Sequence, residues 1–233
     1  MRSHGFSATN TADPPDPAPR CQTDGVGVYG DQVLPRVLDL WMRGADVRQV
    51  RARVTAGLAG EVIEIGFGSG LNVPQYPATI TRVRAVDPAT VGRGLAATRI
   101  AARTVTVEFI GTDAQALAAD DESADFVLST WTLCSIPDPD RALAEAYRVL
   151  RPGGALRFVE HGRSPDPRVA RVQRRLTPLH RRVVGGCHLD RPIADLVAGA
   201  GFRLDRLENY YFHRPRAMGY TYEGVAGKPP AAA

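Results

Sequence analysis

The chain has 233 residues, a formal net charge of +4, 44% hydrophobic residues and 23% charged residues. These values suit one globular domain and exclude a chain disordered throughout. Cys21, Cys134 and Cys187 show no CxxC spacing, and an odd number cannot all pair internally, which points to a reducing compartment.

No apolar run reaches the roughly 20 residues that cross a bilayer, and no hydrophobic stretch follows Arg2. The expectation is a cytoplasmic protein without a span or a secretory leader. Lys228 is the only lysine, so the positive charge is almost all arginine; it clusters in one segment alone, residues 167–184, and is not read as a sign of nucleic-acid binding.

In chain order, residues 1–22 are rich in Ser, Thr, Asp and Pro and read as a flexible tail. A single domain over 23–228 follows, then a short tail at 229–233. Strand patterns at 61–65, 83–86, 105–110, 126–130 and 155–159 alternate with helical patterns at 90–103 and 139–150. The second helix has Asp138 as its N-cap, Pro139 at its first position and a stop at Arg151-Pro152-Gly153-Gly154. This alternation predicts an α/β fold whose mostly parallel sheet is covered by helices on both faces. Two last strand patterns, at 202–211 and 218–226, are close enough to pair as a hairpin and give the sheet an antiparallel C-terminal edge.

The first strand ends in Glu64-Ile65-Gly66-Phe67-Gly68-Ser69-Gly70. Glycines serve such a turn by adopting positive φ and by letting a ligand approach the backbone. The spacing is GxGxG; a dinucleotide fingerprint would need a glycine at position 71, where Leu71 stands. Glu64 would repel a pyrophosphate and suits an ammonium group. Asp87 ends the second strand, where a carboxylate can accept both hydroxyls of a ribose or else cap a helix. Asp113, in Gly111-Thr112-Asp113-Ala114 after the third strand, can meet the exocyclic amine of a purine or cap a helix with Leu117 on its face.

Together with Val86-Asp87-Pro88, Ser123-Ala124-Asp125-Phe126-Val127 and Arg148-Val149-Leu150-Arg151-Pro152-Gly153-Gly154, these motifs resemble class I S-adenosylmethionine-dependent methyltransferases over about residues 25–226. The similarity is to the small single-domain group of quinone and phospholipid methyltransferases. Leu133-Cys134-Ser135-Ile136, Glu160-His161 and Gly186-Cys187-His188-Leu189 resemble the alkyl-thiol branch, whose N-terminal membrane anchor is not expected here.

The resemblance implies a Rossmann-like seven-stranded sheet and S-adenosylmethionine as cofactor. It further implies that Glu64, Gly66, Phe67, Gly68 and Gly70 hold the methionine part, Asp87 and Pro88 the ribose, and Asp113 and Ala114 the adenine. Thr130 and Trp131 would lie beside the sulfonium, and Tyr29 would close over the cofactor.

On the substrate side, His161 stands where a general base would, with Trp131, His188 and Tyr211 as further acceptor contacts. Tyr210 and Tyr211 must face opposite ways, so one of them can reach a pocket. His161, Cys187, His188 and Cys134 are scattered, which argues against a metal site. Residues 167–184 form an amphipathic helix with Val169, Val172, Leu176, Leu179 and Val183 in a stripe, six arginines mostly away from it, and Pro178 expected to break or kink it. The stripe is expected to cover the core or a pocket; the second reading is weak peripheral contact with anionic lipid.

The expected function is methyl transfer to a small apolar acceptor by in-line displacement. The alternatives are a non-catalytic cofactor-binding protein and a nucleotide-dependent oxidoreductase. The sequence leaves the acceptor and the oligomeric state open.

Overall fold

The computed structural model describes residues 33–230. Tyr29 and Cys21 lie outside the described residues. Two helices, α1 (Leu34–Trp41) and α2 (Ala45–Thr55), precede the sheet. Then come β1 (Gly60–Ile65), β2 (Ile80–Val86), α3 (Thr90–Ala101), β3 (Thr106–Gly111), β4 (Ala124–Thr130), α4 (Pro139–Val149) and β5 (Leu150–His161). The chain ends with α5 (Pro167–Val183), α6 (Ile193–Gly199), β6 (Arg203–Tyr211), α7 (Arg216–Gly219) and β7 (Tyr220–Gly227).

The seven strands run in the order β3-β2-β1-β4-β5-β7-β6. Strands β1 to β5 pair in parallel, and β7 pairs antiparallel with both β5 and β6. The C-terminal hairpin is therefore present, with β7 lying one place in from the edge. Strand order reverses between β1 and β4, the place where open α/β sheets leave a crevice beyond their carboxyl ends.

Alternation along each strand builds two cores. Ile63, Ile65, Val127, Leu156 and Phe158 face α4 and α6, joined by Leu143, Ala146, Ile193 and Val197. Val62, Val83, Ala85, Leu128 and Val159 face α2 and α3, joined by Val50, Val54 and Ala96. Helix α4 starts as expected: Asp138 accepts from the Arg141 N–H at 3.0 Å, and Ala142, Leu143, Ala146 and Val149 form its buried face.

Helix α5 corrects two expectations. It runs unbroken past Pro178, and Val172, Leu176, Leu179 and Val183 are exposed rather than packed on the core. Its buried face is Ala170, Gln173 and Thr177. The polar members are satisfied: Gln173 accepts from the Ser164 N–H at 2.9 Å and donates to the Gly162 carbonyl at 3.0 Å, while Thr177 donates to Asp190 at 3.0 Å. The segment after Asp113 is not helical, so Asp113 does not cap a helix; it accepts from the backbone and side-chain N–H groups of Gln115.

Candidate functional site

The carboxyl ends of β1, β2 and β4 converge at the strand-order reversal. Gly66, Gly68 and Gly70 all have positive φ, at 74°, 56° and 72°. A Cβ on Gly66 would stand 1.9 Å from Thr132 Oγ1, so close packing forces glycine there. A Cβ on Gly68 would meet nothing within 4 Å, which leaves open space above the backbone. Phe67 is buried, edge-on to Phe109.

Asp87 locks this loop. Its carboxylate accepts from the Gly68 N–H at 2.6 Å and the Ala89 N–H at 2.7 Å, and burial pushes its pKa upward. At the ends of β2 and β3, Pro88 and Asp113 are exposed and Ala114 is buried.

Glu64 lies at the bottom of the crevice, 1% exposed. Asn72 Nδ2 donates to its Oε1 at 2.8 Å, and the Tyr76 hydroxyl donates to its other oxygen. Burial pushes Glu64 up to about 7, against these hydrogen bonds and the nearby Arg51 charge. Arg51 donates to Asn72 Oδ1 at 2.8 Å and Thr130 Oγ1 at 3.1 Å, and lies over the Trp131 ring at 5.0 Å. A cavity of about 210 Å³ beside this network is lined by Arg43, Arg48, Arg51, Arg99, Leu71 and Pro74. Asp39 of α1 ties in from the outside, accepting from Ser69 Oγ at 2.6 Å and pairing with Arg99 at 2.9 Å.

Asp39, Arg51, Asn72 and Tyr76 escaped the sequence reading. Arg51 looks like a surface residue on a polar helix; its signal was the spacing of Val47, Val50 and Val54, which turns one face of α2 inward.

Trp131 has φ +53°, an outlier for a bulky side chain, and its ring is 6.2 Å from Phe212. Tyr211 points the other way: its hydroxyl is 2.7 Å from Ser164 Oγ and its ring packs on Tyr220, on the α4 and α6 side. Phe212, which the sequence reading did not single out, lies beside Trp131.

His161 closes β5, half-buried, with its Nδ1 3.6 Å from Cys187 Sγ. Cys187 Sγ is 3.5 Å from Cys134 Sγ, so residues scattered in sequence are joined in space. His188 is half-buried beside them, its backbone N–H donating to the Cys134 carbonyl at 2.8 Å, and burial pulls its imidazole pKa down.

The family model described as "Methyltransferase domain" matches residues 63–158. Thiol S-methyltransferase TMT1B of Rattus norvegicus is 34% identical over 160 residues, covering 65% of this chain and 64% of that protein. The chain thus spans somewhat less than two thirds of that relative. Thiol S-methyltransferase TMT1A of Homo sapiens is 31% identical over 180 residues, covering 71% of this chain and 72% of that protein. Among solved structures, a SAM-dependent methyltransferase from Thermotoga maritima shares the fold with a TM-score of 0.64 at 23% identity, over 86% of this chain and 99% of its own. No helix among the described residues is long and apolar enough to cross a membrane. With these relatives and this sheet, the chain belongs to the class I S-adenosylmethionine-dependent methyltransferases.

Proposed function

We propose that the chain transfers the methyl group of S-adenosylmethionine to the sulfur of a small, apolar thiol. The observation that carries the reading is the open backbone at Gly68, held by Asp87 at the strand-order reversal, beside buried Glu64 and Arg51, which are bridged by Asn72. Bound S-adenosylmethionine supplies a methyl group already activated by the sulfonium charge.

The residues fit that group. Arg51 is 7% exposed and its Nε has no hydrogen-bond partner among the described residues, which suits a carboxylate arriving beside it. Glu64 sits close enough to neutrality that an ammonium group nearby would hold it ionised. Asp87 and Pro88 would meet the ribose, with Asp113 and Ala114 at the adenine. Thr130 and Trp131 would stand beside the sulfonium, and Tyr29 would close over it.

The protein's own work is alignment and water exclusion. The Trp131–Phe212 pair gives the acceptor side an apolar wall. His161, at the end of β5, is our candidate for promoting loss of the acceptor's proton, and His188 for a substrate contact. The thiol acceptor is supported by the names of the two mammalian relatives.

The test is incubation with methyl-labelled S-adenosylmethionine and a panel of thiophenol, phenol, a quinol and a primary amine. Label on thiophenol alone, or on it first, is the expected result. Label only on oxygen, nitrogen or carbon would overturn the thiol reading, and cofactor binding without label on any acceptor would favour a non-catalytic binder.

A second reading concerns location. Val33, Val37, Leu40 and Trp41 of the α1 segment and Val172, Leu176, Leu179 and Val183 of α5 are exposed. Buried Leu34 comes within 3.3 Å of a Cβ built on Gly185, so the start of α1 lies beside the segment just after α5. Arginines flank the α5 row. This supports weak peripheral contact of a cytoplasmic protein with an anionic lipid surface.

A further inference from the structure

We propose that Cys134, His161 and Cys187 form a binding site for one zinc ion, held by two thiolates and the imidazole Nδ1, whose fourth position takes the acceptor's sulfur as a thiolate. The three-ligand site stands on its own geometry; the fourth ligand rests on the thiol reading above.

Two of the three ligand separations are near those around a tetrahedral ion. Zinc–sulfur bonds of about 2.3 Å and zinc–nitrogen bonds of about 2.0–2.1 Å give tetrahedral edges of about 3.8 Å between sulfurs and about 3.5 Å between sulfur and nitrogen. Here the sulfurs are 3.5 Å apart and Cys187 Sγ is 3.6 Å from His161 Nδ1. All three ligand atoms lie within 4.8 Å of one another. No fourth His, Cys, Asp or Glu joins them among the described residues, which is the pattern of a catalytic rather than a structural zinc. The sulfurs stand far beyond the roughly 2.05 Å of a disulfide, and a disulfide gives no reason for the imidazole beside them.

The ligands are held from behind. Glu160 is fully buried and accepts from Ser129 Oγ, the Thr132 N–H and the Cys134 N–H, fixing the turn that carries Cys134. Arg191, 8% exposed, donates to the Leu133 carbonyl and interacts electrostatically with Cys134, Cys187 and Glu160. Gly186 has φ +86°, and a Cβ there would stand 2.9 Å from the Ser135 carbonyl oxygen. A side chain at 186 would therefore push Cys187 away from Cys134. Two thiolates and Glu160 would place three negative charges against zinc and Arg191, which supply three positive ones, so the buried cluster carries no net charge when the ion is bound and the fourth position is free of an anion.

The cluster also adjoins the glycine loop through its own turn. Thr132, two residues before Cys134, packs against Gly66 of the glycine loop, and His161 ends β5 next to β4. A thiol binding the ion releases its proton to solvent, because coordination lowers a thiol's pKa. The sulfur's electron pair then forms the new S–C bond while the C–S bond of the sulfonium breaks and its pair remains on the departing sulfur. Two neutral thioethers result, and both are weaker zinc ligands than the thiolate.

The chain, reduced with a phosphine and free of added thiol, is titrated with Co²⁺ and then with Zn²⁺. The expected result is about one equivalent of tetrahedral cobalt with sulfur-to-metal charge transfer, displaced by zinc. His161→Gln, at a half-buried position that should fold, is expected to bind at least tenfold more weakly with its melting temperature unchanged. The double variant Cys134→Ser, Cys187→Ser is expected to lose the charge-transfer band. Thiophenol added to the cobalt protein should strengthen that band. A wild-type protein without the band, an unchanged affinity in His161→Gln, or an oxidised Cys134–Cys187 pair after anaerobic purification would overturn the site. A spectrum indifferent to thiophenol would overturn the fourth-ligand role, and the labelling assay reports separately whether thiols are acceptors at all.

Discussion

The Gly68 N–H donates to Asp87 Oδ2 at 2.6 Å, so the loop after β1 and the end of β2 are one unit. Asp87→Ala removes the acceptor for both Gly68 and Ala89, and is expected to weaken S-adenosylmethionine binding at least tenfold, about 1.4 kcal/mol. Asp87→Asn keeps one oxygen and should fall between. Calorimetric titration of the three proteins checks this; equal affinities would remove Asp87 from the ribose role.

Two glycines of the loop should separate stability from binding. Alanine at either position takes on a positive φ worth about 1–3 kcal/mol. Gly66→Ala also drives its methyl into Thr132, whereas Gly68→Ala points into open space. Thermal melting is expected to fall further for Gly66→Ala, and Gly68→Ala should lose more cofactor affinity than stability. Melting as low for Gly68→Ala as for Gly66→Ala would contradict the geometry.

Glu64 predicts a pH effect. Its pKa is raised from 4.5 to about 7 by burial. Between those values the folded protein keeps a proton that the unfolded chain has released. Stability contributed by this group is therefore full below about 4.5 and is lost as pH rises through about 7, with a slope of at most about 1.4 kcal/mol per pH unit. Glu64→Gln should flatten that part of the curve in denaturant titrations run from pH 4 to 8. An unchanged pH profile in the variant would mean that Glu64 stays ionised.

The α5 row predicts a surface effect. Leu176 and Leu179 are 37% and 63% exposed, so replacing both with Ser should change stability by no more than about 0.5 kcal/mol each. Sedimentation with phosphatidylserine vesicles should drop in the double variant. A large loss of melting temperature would show that the row packs against the protein instead.

The strands and α4 were legible because a parallel sheet buried on both faces writes itself as short apolar runs, and because Asp138 and Pro139 mark a helix start. The glycine loop and its two acids were legible as spacing. Helix α5 was legible in period but not in face: a buried side made of Ala170, Gln173 and Thr177 reads as polar until Ser164, Gly162 and Asp190 are seen to satisfy it. Pro178 was expected to stop the helix, yet the Arg174 carbonyl it leaves without a donor belongs to an exposed residue, where water can serve. Cys134, His161 and Cys187 carry no spacing signal, because β4–β5 pairing and the contact of His188 with Cys134 bring them together. Arg51, Asn72 and Tyr76 matter only through Glu64, and no local pattern announces them.

Calorimetric titration of the full chain with S-adenosylmethionine, and in parallel with NADH, tests the central claim most directly. One site for S-adenosylmethionine and no heat with NADH is the predicted result. Binding of NADH without binding of S-adenosylmethionine would contradict the account at its root.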